Sequence, residues 1–152
     1  MKICIGIDPG KSGGISVIWE DGIVRCEAWD DSDFISVINL VNRHATSNNI
    51  LIACCVEKVG AMPGQGVTSM FSFGKSAGFI EGALRASKIP YQLVTPQTWK
   101  KEFGLNASKQ KSIDVCHRLF PDVNLKRTDR CKTDHDGMAE SLLMAEYARR
   151  KL

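Results

Sequence analysis

Apolar positions change their period several times along the chain, and each change marks an element. Lys2–Asp8 alternates and then fills with isoleucine and cysteine, as a strand covered on both faces should, and Gly14–Trp19 repeats the pattern. Pro9, Gly10, Gly13 and Gly14 force a tight reversal between them. Glu20-Asp21-Gly22 has the chemistry of a hairpin turn and returns the chain as a third strand, Ile23–Trp29. The period then lengthens. Phe34, Ile35, Val37, Ile38 and Val41 form a helical stripe behind the capping residues Asp30 to Asp33, and Asn48-Asn49 ends that helix. Ile50–Glu57 is a continuous apolar strand. The Gly-rich loop Val59–Thr68, with Pro63, precedes a helix capped by Ser69 or Ser72 and running to Ala86. Ile89–Val94, introduced by Pro90, gives a fifth strand. Pro96 opens a short helix through Phe103, Ser108–Phe120 forms another that Pro121 stops, and a basic loop, Lys126–Lys132, leads to a last helix from Asp134 to Arg150.

The order β-β-β-α-β-α-β-α-α-α, without repeats or linkers, predicts one α/β domain over residues 1–152: a hairpin-led mixed sheet with helices on both faces. A chain of 152 residues with 43% apolar side chains can bury roughly two-thirds of its unfolded surface. No apolar run reaches the about 18 residues that a membrane span needs. A single lysine ahead of a strand, with no small-residue cleavage site, predicts no signal peptide.

The six cysteines lie mostly at apolar strand or helix positions. Cys54 and Cys55 are strand neighbours that point to opposite faces and so do not pair. With no Cys-x-x-Cys and no histidines at zinc spacing, they read as free thiols of an intracellular, reducing compartment. The net charge of +3 is uneven: residues 88–152 carry 13 basic and 8 acidic side chains, whereas residues 1–87 carry 7 and 9. A basic half beside a carboxylate site points to a polyanionic partner, although a solvated helix face would look the same.

The carboxylates carry the chemistry. The first and fourth strands each end in an acid, Asp8 and Glu57. Asp136 and Glu140 are four apart and share a face of the last helix, beside Ala139, Leu143, Met144 and Tyr147. Each acid has a plain structural reading alone: Asp136 as a helix cap, Glu140 and Glu57 as solvated acids, Asp8 as a turn former. Together they would repel on an apolar surface unless cations lay between them. Four hard oxygen donors suit Mg2+ or Mn2+, and two such ions about 4 Å apart can activate a water and stabilise the leaving oxygen of a phosphodiester. Gly10-Lys11-Ser12 is no P-loop, because Ile5 stands where its first glycine is required. A sugar-kinase or actin-like ATPase also opens this way but needs two related domains. His135 reads as a loop or supporting residue.

Ile5-Gly-Ile-Asp8-Pro-Gly with its glycine hairpin, Val56-Glu57, and Asp136-Gly-x-Ala-Glu140-Ser-Leu-Leu-x-Ala-Glu-Tyr together resemble RuvC-type Holliday junction resolvases, nearest in flavour to the phage and organellar branch. Val94-Thr-Pro-Gln-Thr-Trp99-Lys100-Lys101 and Ser108-Lys109-x-Lys111-Ser112 extend the likeness over essentially the whole chain. The resemblance implies an RNase H-like fold, a mixed five-stranded sheet flanked by helices on both faces. It also implies a homodimer that nicks four-way DNA symmetrically by Mg2+- or Mn2+-dependent hydrolysis, with two ions per site. Asp8 and Glu57 map onto the first two catalytic acids. The bacterial pattern spaces its last two acids three apart as aspartates, so Asp136 and Glu140 match with a different spacing, and Asp134 can substitute for either.

A lysine near the scissile phosphate is also implied. Lys109 and Lys111 both match loosely, and Lys109 is preferred. The bacterial aromatic wedge after the second acid is missing from residues 58–63, where Met62 is the apolar residue able to serve. Lys100, Lys101, Lys111, Arg127, Arg130 and Lys132 would meet phosphates. Gly74, Gly78 and Gly82, every fourth residue of one helix, predict close approach of a second backbone, either the sheet or a partner helix. The reading is a structure-selective endonuclease acting on branched DNA, in a bacterial or phage-infected cytoplasm or an organelle. A ribonuclease H-like nuclease acting on hybrids or forks and a non-catalytic junction-binding protein are the alternatives.

Overall fold

The computed structural model describes residues 1–46 and 49–152. Five strands, β1 (Lys2–Asp8), β2 (Gly14–Ile18), β3 (Val24–Ala28), β4 (Leu51–Glu57) and β5 (Gln92–Val94), form one sheet in the order β3-β2-β1-β4-β5. β1, β2 and β3 pair antiparallel, whereas β4 runs parallel to both β1 and β5. The helices are α1 (Asp31–His44), α2 (Val67–Ala86), α3 (Pro96–Glu102), α4 (Lys109–Leu119) and α5 (Asp136–Lys151). This mixed sheet, with helices on both faces, is the expected fold class.

Strand alternation divides the core in two. Ile3, Ile5, Ile7 and Cys54 pack with Phe34, Val37, Ile38, Ile80 and Leu84 of α1 and α2. Cys4 and Cys55 face the other way, toward Trp99, Cys116 and the α5 residues Ala139, Leu142 and Met144. Cys54 and Cys55 thus lie on opposite sides, and all six cysteines are free. No helix among the described residues is long and apolar enough to cross a membrane.

Boundaries moved where a local donor or acceptor decided them. Asp30 caps α1 by accepting from the Ser32 and Asp33 amides, as the sequence predicts. That helix stops at His44, capped by Ala45; of the expected Asn48-Asn49 stop, Asn48 lies outside the described residues. α2 begins earlier than expected, behind Gly66, and neither Ser69 nor Ser72 caps it. β5 is only three residues long, because the Ile89 amide is already bound to Leu84 of α2 and Pro90 has no amide to give. α5 starts at Asp136 rather than Asp134, and its cap is His135, whose Nδ1 accepts from the Met138 amide at 3.2 Å.

α5 lies unusually close to the hairpin. A methyl group at Gly6 would collide with the backbone of Ser141 and Ala145, and one at Gly137 would collide with Ser12 and Gly13. The buried Ser16 and Ser141 hydroxyls meet at 2.7 Å across the same contact. Such an approach fixes the first turn of α5 beside the end of β1. Gly6→Ala should therefore cost about 3 kcal/mol of stability, as overpacking of a tight core does. Urea denaturation checks this, and an unchanged midpoint would show that α5 can move away.

Candidate metal centre

The parallel register of β1 and β4 pairs Ile7 with Val56, so the next residues, Asp8 and Glu57, leave the sheet side by side. α5 crosses above this edge and adds Glu140 from its second turn. Asp8, Glu57 and Glu140 offer carboxylate oxygens within 4.8 Å of one another. Glu140 is itself buried, whereas Asp8 and Glu57 are half-buried.

Counter-charge is sparse and one-sided. The Lys100 ammonium lies 3.4 Å from Glu140 Oε1, and the Ser112 hydroxyl donates to the same oxygen at 3.3 Å. The buried Trp99 indole donates to Glu57 Oε2 at 2.8 Å. No such partner reaches Asp8 among the described residues. Burial, reinforced by the charges of Glu57, Glu140 and Asp136, pushes the Asp8 carboxyl well above its ordinary range. Burial also raises Glu57, against the opposing indole hydrogen bond.

Asp136 contributes to this field but stands outside the convergent triad. Lys109 holds it at 2.9 Å, and that hydrogen bond raises the Lys109 ammonium. Asp134 is committed elsewhere: His117 Nε2 lies 2.6 Å from it, and Lys126 3.3 Å. These bonds lower its carboxyl and tie the loop to α4. His135 is a helix cap, not a member of the acid cluster. Lys100, expected among the phosphate contacts, points inward to Glu140 instead.

Lys101, Lys111, Arg127, Arg130 and Lys132 are exposed, with no ion-pair partner among the described residues. Met62 is 68% exposed, with its amide held by Gln65. The sequence reading overlooked Trp99 and two aromatics of α2. Phe73 reaches the turn beside Asp8, where a methyl group on Gly10 would meet its ring at 3.2 Å, and Phe71 is 73% exposed. Their signal was present as aromatics at the polar start of a helix, but only the folded chain brings that start to the acids.

Three oxygen donors at this separation, offset chiefly by Lys100 at Glu140, fit a hard divalent ion. Asp8, Glu57 and Glu140 are the residues able to hold it, with Asp136 at the margin.

The chain has the RNase H-like fold of RuvC. RuvC of T. thermophilus in complex with a Holliday junction substrate superposes with a TM-score of 0.61 at 15% identity, covering 98% of this chain and 96% of that one. A second Thermus thermophilus RuvC structure gives 0.54 at 17% identity, over 97% and 96%. No family model matches the sequence. No curated protein matches it either.

Because the Asp8 carboxyl is raised, its contribution to stability is full below the unfolded value of about 3.9 and is lost as pH rises through the folded value. Asp8→Asn should therefore raise the melting temperature of metal-free protein at pH 8 by at least about 2 °C, with a smaller gain at pH 5. The same substitution should remove most of the melting-temperature increase produced by Mn2+. Calorimetry at both pH values checks both effects.

Proposed function

We propose that this protein is a structure-selective DNA endonuclease that resolves four-way junctions by symmetric, metal-dependent hydrolysis. The convergence of Asp8, Glu57 and Glu140 at the sheet edge carries the reading, since such a cluster has no structural use that fewer charges would not serve better. The RuvC-like fold supports branched DNA as the substrate: one of the similar RuvC structures is bound to a Holliday junction.

Asp8, Glu57 and Glu140 would hold Mg2+ or Mn2+, two ions per site, with Asp136 completing the set. Ions held there would lend Lewis acidity for activating water and stabilising the leaving oxygen. Lys109, already beside Asp136, would turn to the scissile phosphate and offset its developing charge. Lys100, 3.4 Å from Glu140 Oε1, would hold that carboxylate at the site. The exposed Lys101, Lys111, Arg127, Arg130 and Lys132 would neutralise phosphates on the arms. Met62 and the more exposed Phe71 would supply apolar wedges at the opened crossover.

Symmetric nicking calls for two sites on a two-fold axis. Gly74, Gly78 and Gly82 have open space where a side chain would stand, so the sheet is not the backbone they accommodate. Val67, Met70, Phe71 and Phe79 are exposed on the same helix. The partner helix of a second copy fits that surface. Gly78→Arg should fold normally and sediment as a monomer; an unchanged dimer would place the interface elsewhere.

Cleavage tests the activity directly. A four-way junction, a replication fork, linear duplex and an RNA–DNA hybrid compete in one Mg2+ reaction. Paired symmetric nicks in the junction are expected. Preferential cutting of the hybrid or the fork would instead favour a ribonuclease H-like nuclease. Asp8→Asn should abolish nicking while junction affinity holds within about threefold, because phosphate contacts dominate affinity. Junction binding by the wild type without any cutting would leave only a binding protein.

A further inference from the structure

Trp99 is the largest wholly buried side chain of the chain, packed in the α5-side core with Val94, Cys55 and Leu142. Its one polar atom leaves that apolar surround. Nε1 donates to Glu57 Oε2 at 2.8 Å, while Glu57 Oε1 has no hydrogen-bond partner among the described residues. Most buried indole N–H groups find an acceptor, whereas Trp19 Nε1 of this protein is buried without one; for Trp99 a main-chain carbonyl would have served packing alone.

The pairing is held from both sides. Glu57 and Val94 are register partners across β4 and β5, and the Lys58 amide donates to the Val94 carbonyl at 2.8 Å. Thr95 then caps α3 and Pro96 begins it, so Trp99 sits at a set distance from the Glu57 backbone. The following residue, Lys100, contacts Glu140. Two consecutive residues of one short helix thus grip two of the three clustered acids.

We propose that Trp99 is a positioning residue for metal binding: its indole N–H locks the Glu57 carboxylate in the rotamer that receives the divalent ion, and its emission reports the occupancy of the site. This rests on the metal-centre reading of the acid cluster. The bond to Oε2 restrains rotation of the carboxylate about its last bond and leaves Oε1 without a protein partner among the described residues. Outer partners of metal-ligating carboxylates act in this way, and their loss typically weakens metal binding about 10–100-fold. Trp19 and Trp29 pack against the α1 and α2 side of the sheet, so the indole at the acids is Trp99.

Replacement of Trp99 by 3-benzothienylalanine tests this in the full-length protein without DNA. Sulfur stands for N–H, so shape and burial are kept and only the donor goes. Mn2+ affinity, read as the EPR signal of free ion, should fall about 10–100-fold. Mn2+ should quench tryptophan emission in the wild type, and the variant should lose most of that quenching. Trp99→Phe supplies the same two readings should the isostere fold poorly, with circular dichroism to report its folded fraction. Wild-type Mn2+ affinity in a folded variant, or quenching that persists without Trp99, would overturn the proposal and leave the metal centre standing. A wild-type protein that binds no Mn2+ would overturn both.

Discussion

Three carboxylates within 4.8 Å of one another repel, and the surrounding structure exists in a form that withstands that repulsion. Left to themselves they would part or take up protons, as the raised Asp8 carboxyl records. They are kept together because each is anchored in rigid backbone. Asp8 and Glu57 follow paired residues of two central parallel strands, and Glu140 rides on a helix that cannot retreat. The cluster is thus paid for by the packing beneath it, and a divalent ion is the natural way to relieve it.

The means of holding that helix is absence of side chains. Gly6 and Gly137 let the α5 backbone touch β1 and the β1–β2 turn, and the Ser16–Ser141 pair satisfies hydroxyls that the approach would otherwise strand. An ordinary side chain at either glycine would lift the start of α5 away from the strand ends. Core packing and the geometry of the acids are therefore one constraint. The α3 helix adds a second grip, with Trp99 on Glu57 and Lys100 on Glu140, from the opposite edge of the sheet.

The surface divides along the same logic. Exposed Lys101, Lys111, Arg127, Arg130 and Lys132, which have no ion-pair partner among the described residues, lie on α3, α4 and the loop that follows, while several exposed apolar side chains lie on α2. Lys126, in the same basic loop, is instead drawn to Asp134, which holds that acid apart from the Asp8–Glu57–Glu140 cluster and fastens the loop to α4. Charge counting alone could not separate Lys126 from Arg127, because the difference lies in what each one faces.

Periodicity in the sequence was enough to read the ten elements, their order and the mixed character of the sheet. Alternation and helical stripes are local consequences of which face is buried. The strand-end acids Asp8 and Glu57 stood out for the same reason, since each closes an apolar strand, and it was their joint placement rather than either alone that pointed to a site. Local signals failed where a distant partner set the outcome. β5 was cut short by the Ile89 amide bonding to α2, and His135 took the cap that Asp134 gave up to His117. The placing of Glu140, rather than Asp134 or Asp136, beside Asp8 and Glu57, the inward turn of Lys100 and the bond from Trp99 to Glu57 were decided by tertiary structure alone. They depend on distances between residues far apart in the chain, and a linear pattern carries no record of those distances.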